Sequence, residues 1–471
     1  MQQLGALDNL MIGGELANLP MHMSAVMMYD TGGKRQADRL YEGFQRRFEK
    51  MVDGHFPILR CRVEELPLQL DKSYWVTDPD FSLTYHVSRV ALPRQHDWQA
   101  LYRLFGQFHA QPLDLSRPLW QVMYVEGLDR LEGIPRGATA LFLKIHHAVM
   151  DGKSALRLMS GFHSLDPEPG SPMLADSMPQ EAPADSDFRS PSLLVKYGRA
   201  WIHSIERPVE LIGTLAKLIP QVFQAEESAA KTSGHATPQI RFNHHVAADR
   251  VVGHMRMDMG ELRRLEKKFR CTINDIALCV VAGALRGFLL ENDELPDENL
   301  QSLMPIDVRR QDKDGSIGNH VSVAKVCLYT RIDDVKQRLL AISADSSHGK
   351  KKSKKSSSRA ALELVDEIHP AIILSLGKWL INSGFIDSLP QTVNTVVTNV
   401  PGISSDAYIE GSRLVDYLGF GPLAPNMGLF HTVSSTPDHV NISFLSTAEF
   451  MGDGLAYRTS MAESWQEISN L

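Results

Sequence analysis

Between residues 163 and 192 the chain changes character: "HSLDPEPGSPMLADSMPQEAPADSDFRSPS" is rich in proline, serine and aspartate. Such a stretch reads as a surface connection and a domain boundary. Before it, strand-like runs ("MHMSAVMMYD", "ALFLKIHH") mix with helical ones ("ADRLYEGFQRRFEKMV"). After it come a helical region, "LLVKYGRAWIHSIERPVELIGTLAKLIPQVFQ", broken at Pro208, and a polar stretch, "AEESAAKTSGHATPQ". A second body then begins near residue 241, again with strands ("HVSVAKVCLYT", "TVNTVVTNV", "HVNISFL") and helices ("INDIALCVVAGALRGFLL"). Strands and helices mixed in this way predict an α/β layer fold. The simplest organisation is two α/β halves, residues 1–185 and 241–471, joined by a helical crossover over 186–240, with no repeat at the sequence level.

The 471 residues exceed one ordinary core and suggest two or three domains. A composition of 43% hydrophobic and 22% charged residues reads as globular, and a net charge of -7 argues against nucleic acid as the main partner. Cys61, Cys271, Cys279 and Cys327 are scattered, with no CxxC pair. Neither a disulfide framework nor a zinc cluster follows, and a reducing cytoplasm fits. The opening "MQQLGALDNLMIGGE" lacks the layout of a secretory signal. The longest apolar run, "IALCVVAGAL", covers half of the roughly 20 residues a membrane span needs. No span is expected; association with a membrane surface stays open.

The chemistry-bearing stretch is "LFLKIHHAVMDGKSAL". A period of two places Leu141, Leu143, Ile145 and His147 on one strand face and Phe142, Lys144 and His146 on the other. Asp151-Gly152 supplies turn chemistry, and "KSALRLMSGF" resumes at helical spacing. His147 therefore sits where a strand stops beside an apolar interior. Three readings compete. The histidines can be satisfied structural groups at a strand end. They can hold a metal, but neighbours on a strand point apart, no third ligand presents itself, and no metal is expected. Or His147 is a general base, since imidazole titrates near neutral pH and can take a proton from a hydroxyl.

HHxxxDG is the signature of the CoA-dependent acyltransferase superfamily, and further stretches narrow the resemblance. "PLDLSRPLW" (112–120) looks like the PLW motif of bacterial wax ester synthase/diacylglycerol acyltransferases, and "INDIALCVVAGALR" (273–286) is similar to their ND motif. "LGALDNLMIGGELANLPMHMSAV" resembles their N-terminus; "MPIDVRR", "IGNHVS" and "TNVPG" resemble blocks of their second half. The resemblance implies two chloramphenicol-acetyltransferase-like domains, each a mixed sheet flanked by helices, with a tunnel between them. Acyl-CoA would enter from one side and a fatty alcohol or diacylglycerol from the other, with no cofactor. His147 would deprotonate the acceptor hydroxyl for attack on the thioester.

Each companion residue carries a bland reading beside its functional one. Asp151 is expected to hold the loop through a salt bridge, as is typical in this superfamily, with Arg309 as partner and Arg310 as runner-up, because a lone buried carboxylate is costly. Gly152 is expected to permit a backbone angle that other residues resist. Asn274 either donates to the oxyanion or caps its helix, and Asp275 is read as structural. Trp120 lines the channel or is plain core. Asn399 and Gly402 shape a loop of the tunnel, or are simply structural. His146 is a supporting hydrogen-bonding residue.

Other features bear on lipids. "GKKKSKKSSSR" packs Lys350, Lys351, Lys352, Lys354, Lys355 and Arg359 together, either as a solvated loop or against CoA phosphates or anionic headgroups. "VELIGTLAKLIPQVF" either packs between the domains or dips into lipid. Met21, Met23, Met27 and Met28 suit an adaptable channel and equally a strand core. The runner-up function is a stand-alone condensation-type acyltransferase that works on carrier-protein thioesters, against which PLW and NDIALC speak. A catalytically silent lipid-binding protein is disfavoured by the intact His147 and Asp151. The expected location is the cytoplasm, with peripheral contact at the inner membrane or lipid inclusions.

Overall fold

A computed structural model of the chain describes residues 2–66, 70–92, 97–178, 188–192, 194–199, 237–307, 321–353, 374, 379, 383–384 and 391–471. Its strands begin with β1 (Gln2–Gln3), β2 (His22–Asp30), β3 (Cys61–Glu64), β4 (Tyr74–Thr77), β5 (Val87–Ala91), β6 (Trp120–Glu126) and β7 (Thr139–His146) in the first half and β8 (Val251–Asp258) in the second. They continue as β9 (Gln301–Asp307), β10 (Val321–Cys327), β11 (Thr395–Val400), β12 (Tyr408–Ile409), β13 (Ser412–Phe420), β14 (Phe430–Ser435) and β15 (His439–Ser446).

Two six-stranded mixed sheets organise them, in the orders β12-β13-β2-β7-β6-β5 and β10-β9-β11-β14-β15-β8; a small sheet, β1-β4-β3, stands beside them. The expected α/β class holds, with helices against both large sheets. Strand pairing nevertheless crosses the expected division at 241. β13 leaves the second half and pairs antiparallel with β2, from Arg413 opposite Asp30 to Phe420 opposite Ser24, with an irregularity between Leu414 and Asp416.

β7 lies inside the first sheet, between β2 and β6, and all eight of its residues are buried. That explains its nearly unbroken apolar run, since both faces are covered. Leu141, Leu143 and Ile145 pack with Phe44, Phe48 and Met51 of the amphipathic helix Lys34–Gly54. Ala140 and Phe142 face a second cluster that runs on into the other half of the chain through Phe105, Leu418 and Phe420. The Phe105 ring stands 5.2 Å from Phe142 and 4.5 Å from Phe420. The halves therefore share one apolar seam. Met27 and Met28 are part of these cores.

The helix Ile273–Glu291 is long and apolar enough by composition to cross a membrane, but 67% of its most apolar window is buried inside the fold. It is the central helix of the second half, in contact with the helices Val335–Ser353 and Leu455–Ser469.

The crossing of β13 is fastened by Asp416, whose carboxylate is fully buried. It accepts hydrogen bonds from His439 Nε2 at 2.9 Å, the Tyr417 amide at 2.8 Å and Asn441 Nδ2, and it pairs with Arg256. Three of these partners lie on β8 and β15, in the other sheet. Burial raises the Asp416 pKa, but the His439 hydrogen bond and the charges of Arg256 and His254 overcome this and hold it below the usual carboxylate range.

Candidate active site

β7 ends at His146, and His147 is the first residue of the turn beyond it. The strand alternation expected to carry His147 along the Leu141–Leu143–Ile145 face therefore stops one residue short. Its position is set by backbone bonds from the flanking strand ends instead. The His146 amide donates to the Leu119 carbonyl at 3.0 Å, just before β6, and the His147 amide donates to the Met21 carbonyl at 2.9 Å, just before β2. The "PLW" and "PMH" segments thus hold the histidine pair between them.

After the turn, Asp151 is the N-cap of the helix Gly152–Gly161, its Oδ1 accepting from the Ser154 amide at 2.8 Å. Capping satisfies an otherwise orphaned amide and places a carboxylate at the positive helix end. The proposed partner Arg309 and its runner-up Arg310 lie outside the described residues. Gly152 does not meet its expectation: its φ is not positive, it is the first helical residue, and a Cβ there would touch nothing within 4 Å.

The two imidazoles differ. His146 is fully buried; its Nδ1 accepts from the Ala148 amide at 3.0 Å, while Nε2 faces Glu15 Oε2 at 3.8 Å. Burial, with the neighbouring His147 charge, pushes its pKa down to about 3, so it stays neutral. His147 is half-buried, with Nδ1 enclosed and outside hydrogen-bonding geometry. Desolvation lowers its pKa, opposed by its own carbonyl and by the charge of Asp151. It is thus neutral at physiological pH and not a fully satisfied structural histidine.

Sequence reading missed the buried polar layer behind the pair. Lys144, fully buried, donates to the carbonyls of Phe108 at 2.8 Å and Gln111 at 2.7 Å, and burial pushes its pKa down to about 7. Buried His22 lies opposite His146 in the strand register and contacts the His109 carbonyl, and Ser24 meets His109 Nδ1 at 2.8 Å. The polar letters Lys144 and His146, alternating within an apolar run, were the available signal.

On the second half, Thr272, not Asn274, caps the helix Ile273–Glu291. Its hydroxyl accepts from the Asp275 amide while the Asp275 carboxylate accepts from the Thr272 amide, a reciprocal capping box. Asp275 also accepts from Ser343 and Ser346. Asn274 is thereby released from capping. Its Oδ1 accepts from Asn399 Nδ2 at 2.6 Å, which joins the ND segment to the end of β11. The helix Gly152–Gly161 touches β11, so the histidine turn and the Asn274–Asn399 pair are linked through one strand. At Gly402 a Cβ would stand 1.8 Å from the Ser435 carbonyl oxygen, so only glycine fits this approach.

Trp120 does not line a channel. It is fully buried, donates through Nε1 to the Leu59 carbonyl at 2.8 Å, and stacks on His86 with ring centroids 4.3 Å apart. Lys350, Lys351 and Lys352 continue the helix Val335–Ser353; Lys354, Lys355, Arg359 and the segment 209–223 lie outside the described residues. All four cysteines are free and buried, and burial pushes the Cys61 thiol up to about 12 and those of Cys271 and Cys279 up to about 11. None is poised as a thiolate nucleophile.

Comparison with known proteins decides the family. Residues 4–277 match the wax ester synthase/diacylglycerol acyltransferase catalytic domain, and residues 317–469 match the C-terminal domain of the same group. The chain belongs to the wax ester synthase/diacylglycerol acyltransferase family. A Mycobacterium tuberculosis protein with the provisional name diacylglycerol O-acyltransferase is 27% identical over 486 aligned residues, covering 99% of this chain and 90% of that one. Among solved structures, the wax ester synthase/diacylglycerol acyltransferase of Marinobacter aquaeolei VT8 superposes with a TM-score of 0.70 at 21% identity, covering 100% of both chains. The trichothecene 15-O-acetyltransferase of Fusarium sporotrichioides follows at 0.61 and 11% identity, covering 99% of this chain and 94% of that one. These likenesses establish the two-domain acyltransferase fold, and family membership makes the protein an acyltransferase.

Proposed function

We propose that the enzyme transfers a long-chain fatty acyl group from acyl-CoA to a fatty alcohol, making wax ester, and to diacylglycerol, making triacylglycerol, with His147 as general base. The observation that carries this reading is the state of His147: a neutral, half-buried imidazole at a strand end, its Nδ1 enclosed and its backbone tied to Met21. Nε2 is then the nitrogen left for a substrate.

In the reaction, the acceptor hydroxyl oxygen attacks the thioester carbonyl as its proton passes to Nε2 of His147. The tetrahedral oxyanion collapses, the C–S bond breaks, and the CoA thiolate takes the proton back from the imidazolium. Products are an ester and free CoA. A thioester is already activated, so the scheme needs no metal and no covalent enzyme intermediate. Asp151 shapes the turn and favours the imidazolium that forms in the first step. Asn274, its oxygen occupied by Asn399, has its amide N–H groups left for the oxyanion. The lipid acceptors suit a cytoplasmic enzyme working against the inner membrane or a lipid inclusion.

The test pairs purified protein and palmitoyl-CoA with hexadecanol, diacylglycerol and a long-chain amine, following ester, amide and free thiol. Ester from both hydroxyl acceptors is expected, and His147→Ala should lower the rate about 10²–10⁴-fold. Amide as the only product would favour the condensation-type reaction instead. Full activity in His147→Ala would remove the base assignment.

A further inference from the structure

Glu15 ends the helix Ala6–Gly14 and turns its side chain inward, where it is 10% exposed. Its Oε1 accepts from the Met21 amide at 3.0 Å. The carbonyl of that same residue receives the His147 amide at 2.9 Å, so the carboxylate holds the residue from which His147 hangs through the neighbouring peptide. Its Oε2 lies 3.8 Å from His146 Nε2. Because His146 Nδ1 accepts the Ala148 amide, the proton of the neutral ring sits on Nε2, the nitrogen on the Glu15 side and beyond hydrogen-bonding distance of it. One carboxylate therefore meets both members of the pair, one through its ring and the other through its backbone.

The surroundings fit an anion at this point. Lys144, from β7, is the charged group facing it; His146 adds an N–H dipole, and His22 and His109 lie beyond, kept neutral by burial. Burial raises the Glu15 pKa, while the Met21 hydrogen bond and the Lys144 charge oppose that rise. A carboxylate placed here without a donor would be costly, and the Met21 amide supplies one while the Lys144 charge adds a long-range attraction.

We propose that Glu15 is a positioning residue for acyl transfer, holding the His146 ring and the Met21 peptide so that His147 meets the acceptor hydroxyl at the reacting distance. This rests on the assignment of His147 as base. Misplacing a reacting group by about 1 Å can cost about 10²-fold in rate, so the effect belongs in kcat and not in the binding of acyl-CoA.

The experiment is a double-mutant cycle of Glu15→Gln and His146→Ala in the full-length enzyme, with palmitoyl-CoA and hexadecanol. Glutamine keeps the volume and an oxygen for Met21 but turns an amide NH2 toward the His146 N–H. The Glu15→Gln enzyme should show kcat lowered at least about tenfold, with KM for palmitoyl-CoA changed less than about twofold. The double variant should be no slower than the slower single one, because both act through the same ring. Unchanged kcat in Glu15→Gln, or losses that multiply in the double variant, would overturn the proposal. Should Glu15→Gln fail to accumulate as folded protein, Glu15→Asp, which withdraws the charge by one methylene, is read by the same criteria. His147→Ala is assayed alongside. If that variant is fully active, the base assignment has failed and the positioning role falls with it; if it is inactive while Glu15→Gln is fully active, only the positioning role has failed.

Discussion

Replacing Asp416 tests what fastens β13 into the sheet of the first half. The carboxylate is fully buried and meets His439, Asn441, the Tyr417 amide and Arg256. Asp416→Ala leaves one cation and three donors facing a small cavity. Removing one partner of a buried ion pair costs about 3–5 kcal/mol, and the lower end is expected because the Arg256 side chain is 31% exposed and can turn to water. Asp416→Asn keeps the volume and one acceptor oxygen, and should cost about 1–3 kcal/mol. The assay is urea unfolding followed by tryptophan fluorescence at pH 7, repeated at acid pH. A carboxyl whose folded pKa is depressed contributes stability above its unfolded pKa of about 3.9, lost as pH falls through the folded value. The stability gap between wild type and Asp416→Asn should therefore narrow below pH 4. A loss under about 1 kcal/mol in Asp416→Ala, against the range expected for breaking a buried pair, would refute the clasp.

Other outcomes are open to direct measurement. Because burial lowers the His147 pKa, its base form persists to lower pH, so the acid limb of kcat/KM should lie below the ordinary histidine value of 6.5; a limb at or above it would contradict the desolvated setting. Trp120→Ala removes a fully buried indole stacked on His86, and should lower stability by about 3–5 kcal/mol in denaturant titration, with lost activity tracking lost folded protein. Thr272→Ala should cost about 1 kcal/mol by loss of the cap, whereas Asn274→Ala should leave stability nearly unchanged and lower kcat; the reverse pattern in melting and turnover would restore Asn274 as the cap.

The sequence alone determined what local spacing can encode. β7 was legible because a strand covered on both faces draws mostly on apolar letters, and the turn after it through Asp151-Gly152, whereas the cap bond from the Ser154 amide to Asp151 shows only in the fold. The helix Lys34–Gly54 was legible through its 3.6-residue stripe, and the acyltransferase family through motifs whose order survives along the chain. Where two local rules compete, the letters were silent: Thr272 and Asn274 are both good caps, and the return bond from Asp275 chose between them.

Tertiary structure decided the rest. β13 pairs with β2 nearly 400 positions away, Asn399 meets Asn274 across 125 positions, and Glu15 faces His146 from the far end of the first half. Such contacts leave no periodicity, because each depends on which surfaces the packed sheets bring together. Lys144 shows the reason most plainly. In the sequence it is a charge interrupting an apolar strand; in the fold, two backbone carbonyls and a nearby carboxylate receive it, and burial becomes tolerable only after that layer has assembled.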